Sequence, residues 1–109
     1  MPVPTEQKVA ALIHDLGRER LTYLLDVDPA QLGRWRRGEG IDEANASRVD
    51  LLEAVMASLL RLLPIEAAQR WLGGLNPELR DRRPADLIRR GRALEVLDAV
   101  ASTRAGSFA

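Results

Sequence analysis

Apolar residues recur along this chain with the period of a helix almost from end to end. Val9, Leu12, Ile13 and Leu16 stand at i, i+3, i+4 and i+7, one face of a first helix that Gly17 terminates. Leu21, Leu24 and Leu25 give a second, shorter stripe, closed by a tight turn at Asp26-Val27. Asp28 has the marks of an N-cap: Pro29 takes the first helical position and Gln31 stands three residues on, as in a capping box. In the helix that follows, Leu32 and Trp35 turn inward, Gln31, Arg34 and Arg37 turn outward, and Gly38 stops it. The longest pattern runs from Glu43, after Asp42 as N-cap, to Leu63 before Pro64, a span of about 30 Å at roughly 1.5 Å per residue. Val49, Leu52, Met56, Leu59, Leu60 and Leu63 form one stripe on it, with Leu51, Val55 and Leu62 beside it. So wide an apolar face needs more cover than one short helix supplies. It predicts a helix sandwiched between the N-terminal hairpin and the C-terminal helices, with a homodimer seam as the other use.

Pro64 opens a further helix that turns Ala67, Ala68, Trp71 and Leu72 inward and ends at Gly73-Gly74. Residues 75 to 83 read as a polar connection containing Asn76-Pro77, Arg80, Arg82 and Arg83. Pro84 then starts a short helix with Asp86 in its first turn, Arg89 and Arg90 in its last, and Gly91 just past the end. Ala93, Val96, Leu97, Val100 and Ala101 mark a last helix ending near Ser102 or Thr103, followed by a tail that carries the chain's one phenylalanine, Phe108. The fold class is all-α. A helix-turn-helix lobe with a long connecting helix occupies 1–63, and a helical lobe with a C-terminal tail occupies 64–109.

Composition narrows the function. A chain of 109 residues holds one compact domain or two lobes sharing one core. It has no cysteine, which removes disulfides and thiolate metal sites and fits a cytoplasmic setting. It opens on no secretory pattern, and no apolar run reaches the roughly 20 residues of a membrane span. Formal net charge is zero, with a slight acidic excess before residue 64 and a slight basic excess after it. A dedicated nucleic-acid binder carries a clear basic excess; operator DNA here would rest on a local cluster and on a dimer or higher assembly. His14 is the only histidine and lies at the flank of an apolar stripe. With no glycine-rich phosphate loop, no histidine-based metal set and no activated nucleophile, the chain reads as no enzyme, with no cofactor and no metal.

The order Trp71-Leu72, Asn76-Pro77-Glu78-Leu79, Arg83-Pro84-Ala85-Asp86-Leu87-Ile88, Gly91 and Val96-Leu97 resembles the C-terminal toxin-binding domain of the Xre/MbcA/ParS-type bacterial antitoxins. One position departs, since Asp81 stands where the family often has glycine. The string from Leu21 to Glu39 also resembles the Xre/Cro-type helix-turn-helix, with Asp26 in place of a turn glycine and Gly33 in place of an outward polar side chain. The resemblance implies an antitoxin of a type II toxin–antitoxin system. Its partner would be a RES-domain toxin that consumes NAD⁺, or a related toxin that ADP-ribosylates a protein. Inhibition would come from occlusion of the toxin's active site. Asn76, Arg80, Arg82 and Arg83 would form the toxin-binding ridge, while Trp71 packs in the core. Arg104, Ser107, Phe108 and Ala109 with its carboxylate would plug the toxin's nucleotide pocket, as C-terminal residues do in antitoxins that this chain resembles. Gln31, Arg34, Arg36 and Arg37 would meet operator bases and phosphates, making the chain a repressor of its own operon. The rival reading is a stand-alone helix-turn-helix regulator whose C-terminal half only dimerises.

Overall fold

The computed structural model describes residues 3–106, with side chains placed through Thr103. Helices follow one another in the order α1 (Thr5–Leu25), α2 (Pro29–Arg36), α3 (Glu43–Leu60), α4 (Ile65–Gly73), α5 (Pro84–Arg89) and α6 (Ala93–Gly106). A 3₁₀ turn, Pro77–Leu79, lies between α4 and α5. The protein is all-α, and one isolated bridge pairs Asn76 with Arg82. Of the expected site residues, Ser107, Phe108 and Ala109, together with the side chain of Arg104, lie outside the described residues.

α1 breaks at Gly17, whose φ of 80° and ψ of 159° leave the helix and restart it in a new direction. Val9, Leu12 and Leu16 before the break and Leu21, Leu24 and Leu25 after it are all buried. Asp26 then takes a left-handed conformation, φ 54°, and turns the chain toward α2. Asp28 caps α2 by accepting the Ala30 amide at 2.8 Å. The capping box does not close, because the Gln31 oxygen accepts from Arg34 Nη2 at 2.6 Å instead.

α3 is the axis of the molecule and packs against both α1 and α6. It ends at Leu60, three residues short of the expected Leu63. The Leu62 and Leu63 amides both turn back to the Leu59 carbonyl at 2.9 Å and tighten the exit before Pro64. Leu60 is 37% exposed and leaves the core stripe that Val49, Leu52, Val55, Met56 and Leu59 form. The core itself is one cluster, running from Val9 through α3 to Val100 without a gap at residue 63.

α6 continues to Gly106, beyond the expected stop at Thr103. Its inward row is Ala93, Val96, Ala99 and Val100, with Leu97 half-buried; Ala101 faces solvent, not the core. Among the described residues no helix is long and apolar enough to cross a membrane.

Candidate functional site: the basic loop and the joint behind it

The segment between α4 and α5 is an ordered closed loop. Asn76 organises it from beneath, 9% exposed. Its side-chain oxygen accepts the Glu78 amide at 2.9 Å, its carbonyl accepts the Leu79 and Asp81 amides at 2.9 Å each, and its own amide donates to the Arg82 carbonyl at 3.1 Å. Pro77 fits the first position of the 3₁₀ turn, and Leu79 drops into the core. The loop tip carries two successive left-handed residues without glycine, Arg80 at φ 60° and Asp81 at φ 59°. The family's glycine thus has a physical reason here, since only glycine takes that conformation at no steric cost.

The three loop arginines have different surroundings. Arg80 is exposed and, among the described residues, makes no side-chain bond. Arg82 is turned back on the protein: its Nε donates to the Leu79 carbonyl at 2.8 Å and its Nη2 lies 3.4 Å from Glu95. Arg83 is exposed, with its Nε donating to the Gly73 carbonyl at 3.2 Å across the mouth of the loop. Glu95 is shared, for Arg92 Nε also donates to it at 2.6 Å. Between the loop and α6 lies an open groove of about 450 Å³ lined by Glu78, Arg80, Arg82, Arg92, Glu95 and Asp98 among others. Asn76 therefore acts by shaping the loop, and of the expected ridge Arg80 and Arg83 present the freest charge.

Residues outside the expected site tie α5, which follows this loop, to the N-terminal hairpin. Arg48 reaches from α3 into the gap between two helix ends. Its Nη1 donates to the Leu25 carbonyl at 2.6 Å; its Nη2 approaches the carbonyls of Leu24, Ile88 and Arg89 at 3.2, 3.1 and 2.9 Å. Arg89 works from the other side. It donates to the Tyr23 carbonyl at 2.7 Å, pairs with Asp26 at 2.8 Å, and lies 4.5 Å from the centroid of the Tyr23 ring. The last turn of α1 has no basic residue of its own. Its last carbonyls and the negative end of its dipole are met by arginines from elsewhere in the chain. That missing local complement was the one available signal for Arg48.

The Tyr23 hydroxyl donates to Asp86 Oδ1 at 2.6 Å, and this bond, with the desolvation and the carboxylate charge, raises the phenol's pKa above its ordinary 10.0. Arg89 and Arg90 oppose the shift. The Lys8 ammonium is likewise raised, by its 2.8 Å bond to Asp50. Asp42 is held below its ordinary value by the side chain and amide of Asn45, which it caps. On α2, Arg34 and Arg36 are exposed and Gln31 is half-buried; Arg37, just past its end, is exposed and lies 3.4 Å from Glu39. Among the described residues no group of three or more His, Asp or Glu side chains could hold a metal ion.

No family model matches the chain. The mycobacterial cidal antitoxin MbcA of Mycobacterium tuberculosis H37Rv is 34% identical over 102 residues, a match that spans 85% of this chain and 88% of that protein. The Mycobacterium bovis protein of the same name gives the same values. This chain belongs to the MbcA antitoxin family. The fold agrees over its whole length with a chain in the crystal structure of the M. tuberculosis MbcT–MbcA toxin–antitoxin complex, at TM-score 0.80 and 29% identity, covering 99% of this chain and 100% of that one. An MbcA-type antitoxin, not an enzyme, is what the loop and the joint belong to, as the resemblance implied.

Proposed function

We propose that this protein binds and occludes the active site of a cognate RES-domain toxin that degrades NAD⁺. The observation that carries the reading is the full-length correspondence with a chain from a toxin–antitoxin complex, together with a rigid loop that presents Arg80 and Arg83. Loop rigidity matters because a preformed surface loses little entropy when it docks. Asn76 serves by closing the loop, and Arg82 by fastening it to Glu95. Arginine suits the contact with toxin, since its planar fork takes a carboxylate through two bonds. Arg104, Ser107, Phe108 and Ala109 remain the segment proposed to enter the nucleotide pocket.

Operator binding is the second role, favoured by the exposure of Arg34, Arg36 and Arg37 along one short helix and its C-cap. Gln31 would have to leave Arg34 to reach a base edge. A zero net charge makes this contact dependent on an assembly of several copies.

Co-expression with the product of the adjacent reading frame tests the proposal. A stable complex should be recovered, and NAD⁺ loss caused by that product should cease. Recovery of the chain alone, with NAD⁺ still consumed, refutes it.

A further inference from the structure

Tyr23 is 45% exposed yet held on three sides. Its hydroxyl is bound by Asp86, its ring is covered by Arg89, and its carbonyl accepts from the same arginine. A tyrosine held this way has little rotamer freedom left to lose on binding. Tyrosine and arginine are also the side chains that most often anchor protein interfaces.

Three concavities meet at the ring. One is an apolar slot of about 140 Å³ between Tyr23, Arg20, Leu24, Leu72, Gly73 and Ala85. The others flank it, along Gly17, Arg18 and Arg20 on one side and along Asp26, Asp86 and Arg90 on the other. Their charges are not balanced. Asp26 and Asp86 are already engaged by Arg89 and Tyr23. Among the described residues, Arg18 and Arg90 have no carboxylate partner, and Arg20 donates only to the Leu16 carbonyl, at 3.4 Å. Glu19 is the one rim carboxylate left without a partner among them. An apolar slot with a net positive rim fits a protein segment that carries carboxylates beside an apolar side chain. The slot also adjoins the basic loop, because Gly73 at its edge accepts from Arg83.

We infer that the toxin contact continues from the loop across Gly73 onto the Tyr23 face. There an acidic segment of the toxin inserts an apolar side chain into the slot and sets its carboxylates on Arg18 and Arg20. This rests on the antitoxin reading above.

The test uses the full chain and the purified product of the adjacent reading frame. The double variant Arg18→Glu with Arg20→Glu alters two exposed side chains, so its helix content and melting should match the parent. Its Kd for the toxin should weaken at least tenfold, with a flatter dependence on salt. An unchanged Kd, beside a weakened one for Arg80→Glu, overturns this surface and leaves the antitoxin reading standing. A double variant altered only in self-association assigns the face to a second copy and overturns it too. If the parent chain itself fails to bind, the antitoxin reading falls, and this inference with it.

Discussion

Arg48 donates to the Arg89 carbonyl at 2.9 Å, and so joins the second turn of α3 to the end of a helix 41 residues later. The same guanidinium holds the end of α1 through Leu24 and Leu25. A planar group with five donors can serve two helix ends at once, whereas an ammonium cannot span them. Arg48→Met, which keeps the apolar stem, should lower unfolding free energy by about 2–3 kcal/mol, since charged donors are removed from carbonyls left half-buried. Arg48→Lys should recover only part of that. Urea denaturation followed by circular dichroism measures both; a loss under about 0.5 kcal/mol, the level of an ordinary surface change, would show that the joint contributes little.

Asp81 occupies a left-handed conformation at the loop tip, beside Arg80 in the same conformation. Asp81→Gly should relieve steric strain worth about 0.5–1 kcal/mol after the added freedom of the unfolded chain is counted. The expected reading is a higher melting temperature with toxin affinity retained. A lower melting temperature would mean that the aspartate side chain supports the turn.

Tyr23 is the only tyrosine, so phenolate absorbance reports it alone. Its folded pKa lies above 10.0 because the phenol donates to Asp86. The stability from this bond is complete below pH 10, and it is lost as the pH rises through the folded value. Asp86→Ala should bring the absorbance midpoint down toward 10. A midpoint that does not move would remove Asp86 as the cause.

The loop arginines should separate by role. Arg80→Glu should leave the melting temperature unchanged and weaken toxin inhibition, because nothing in the fold depends on that side chain. Arg82→Glu should lower stability by about 1 kcal/mol, because it removes a bond to the Leu79 carbonyl and sets like charges against Glu95. Equal loss of stability in both variants would contradict the assignment.

Leu59 and Leu60 are neighbours on α3 with opposite fates, one buried and one 37% exposed. Leu59→Ala should cost about 2–4 kcal/mol, and Leu60→Ala under about 1 kcal/mol. A large loss at Leu60 in the assembled state, but not in dilute monomer, would place it in a contact between copies.

The helical order was legible because each element announces its own ends: Gly17, Asp28, Asp42, Gly73-Gly74, Pro84 and Gly91 all act within one turn of the position where they stand. Family membership was legible through the run from Trp71 to Leu97. What could not be read were effects of distance. Periodicity counts Leu60 as core, yet which leucine of a wide apolar face is covered depends on the crossing of α3 with its neighbours. The stretch from 75 to 83 looked like a polar linker, because its order comes from Asn76 bonding to residues two to six positions away. Arg48 and Tyr23 carry no signature in their own stretch of sequence, since their partners lie 23 to 66 residues off. For the same reason the loop arginines looked equivalent in the sequence, although Arg82 is fastened inward and Arg80 is not.

The borrowed ending of α1 limits how such a protein can be rearranged. A hairpin whose closing charges are supplied from residues 48 and 89 cannot be transplanted onto another effector half unless both arginines travel with it. Gene fusions that exchange only the first forty residues between relatives should therefore yield chimeras that unravel at the graft, however well their turns are matched.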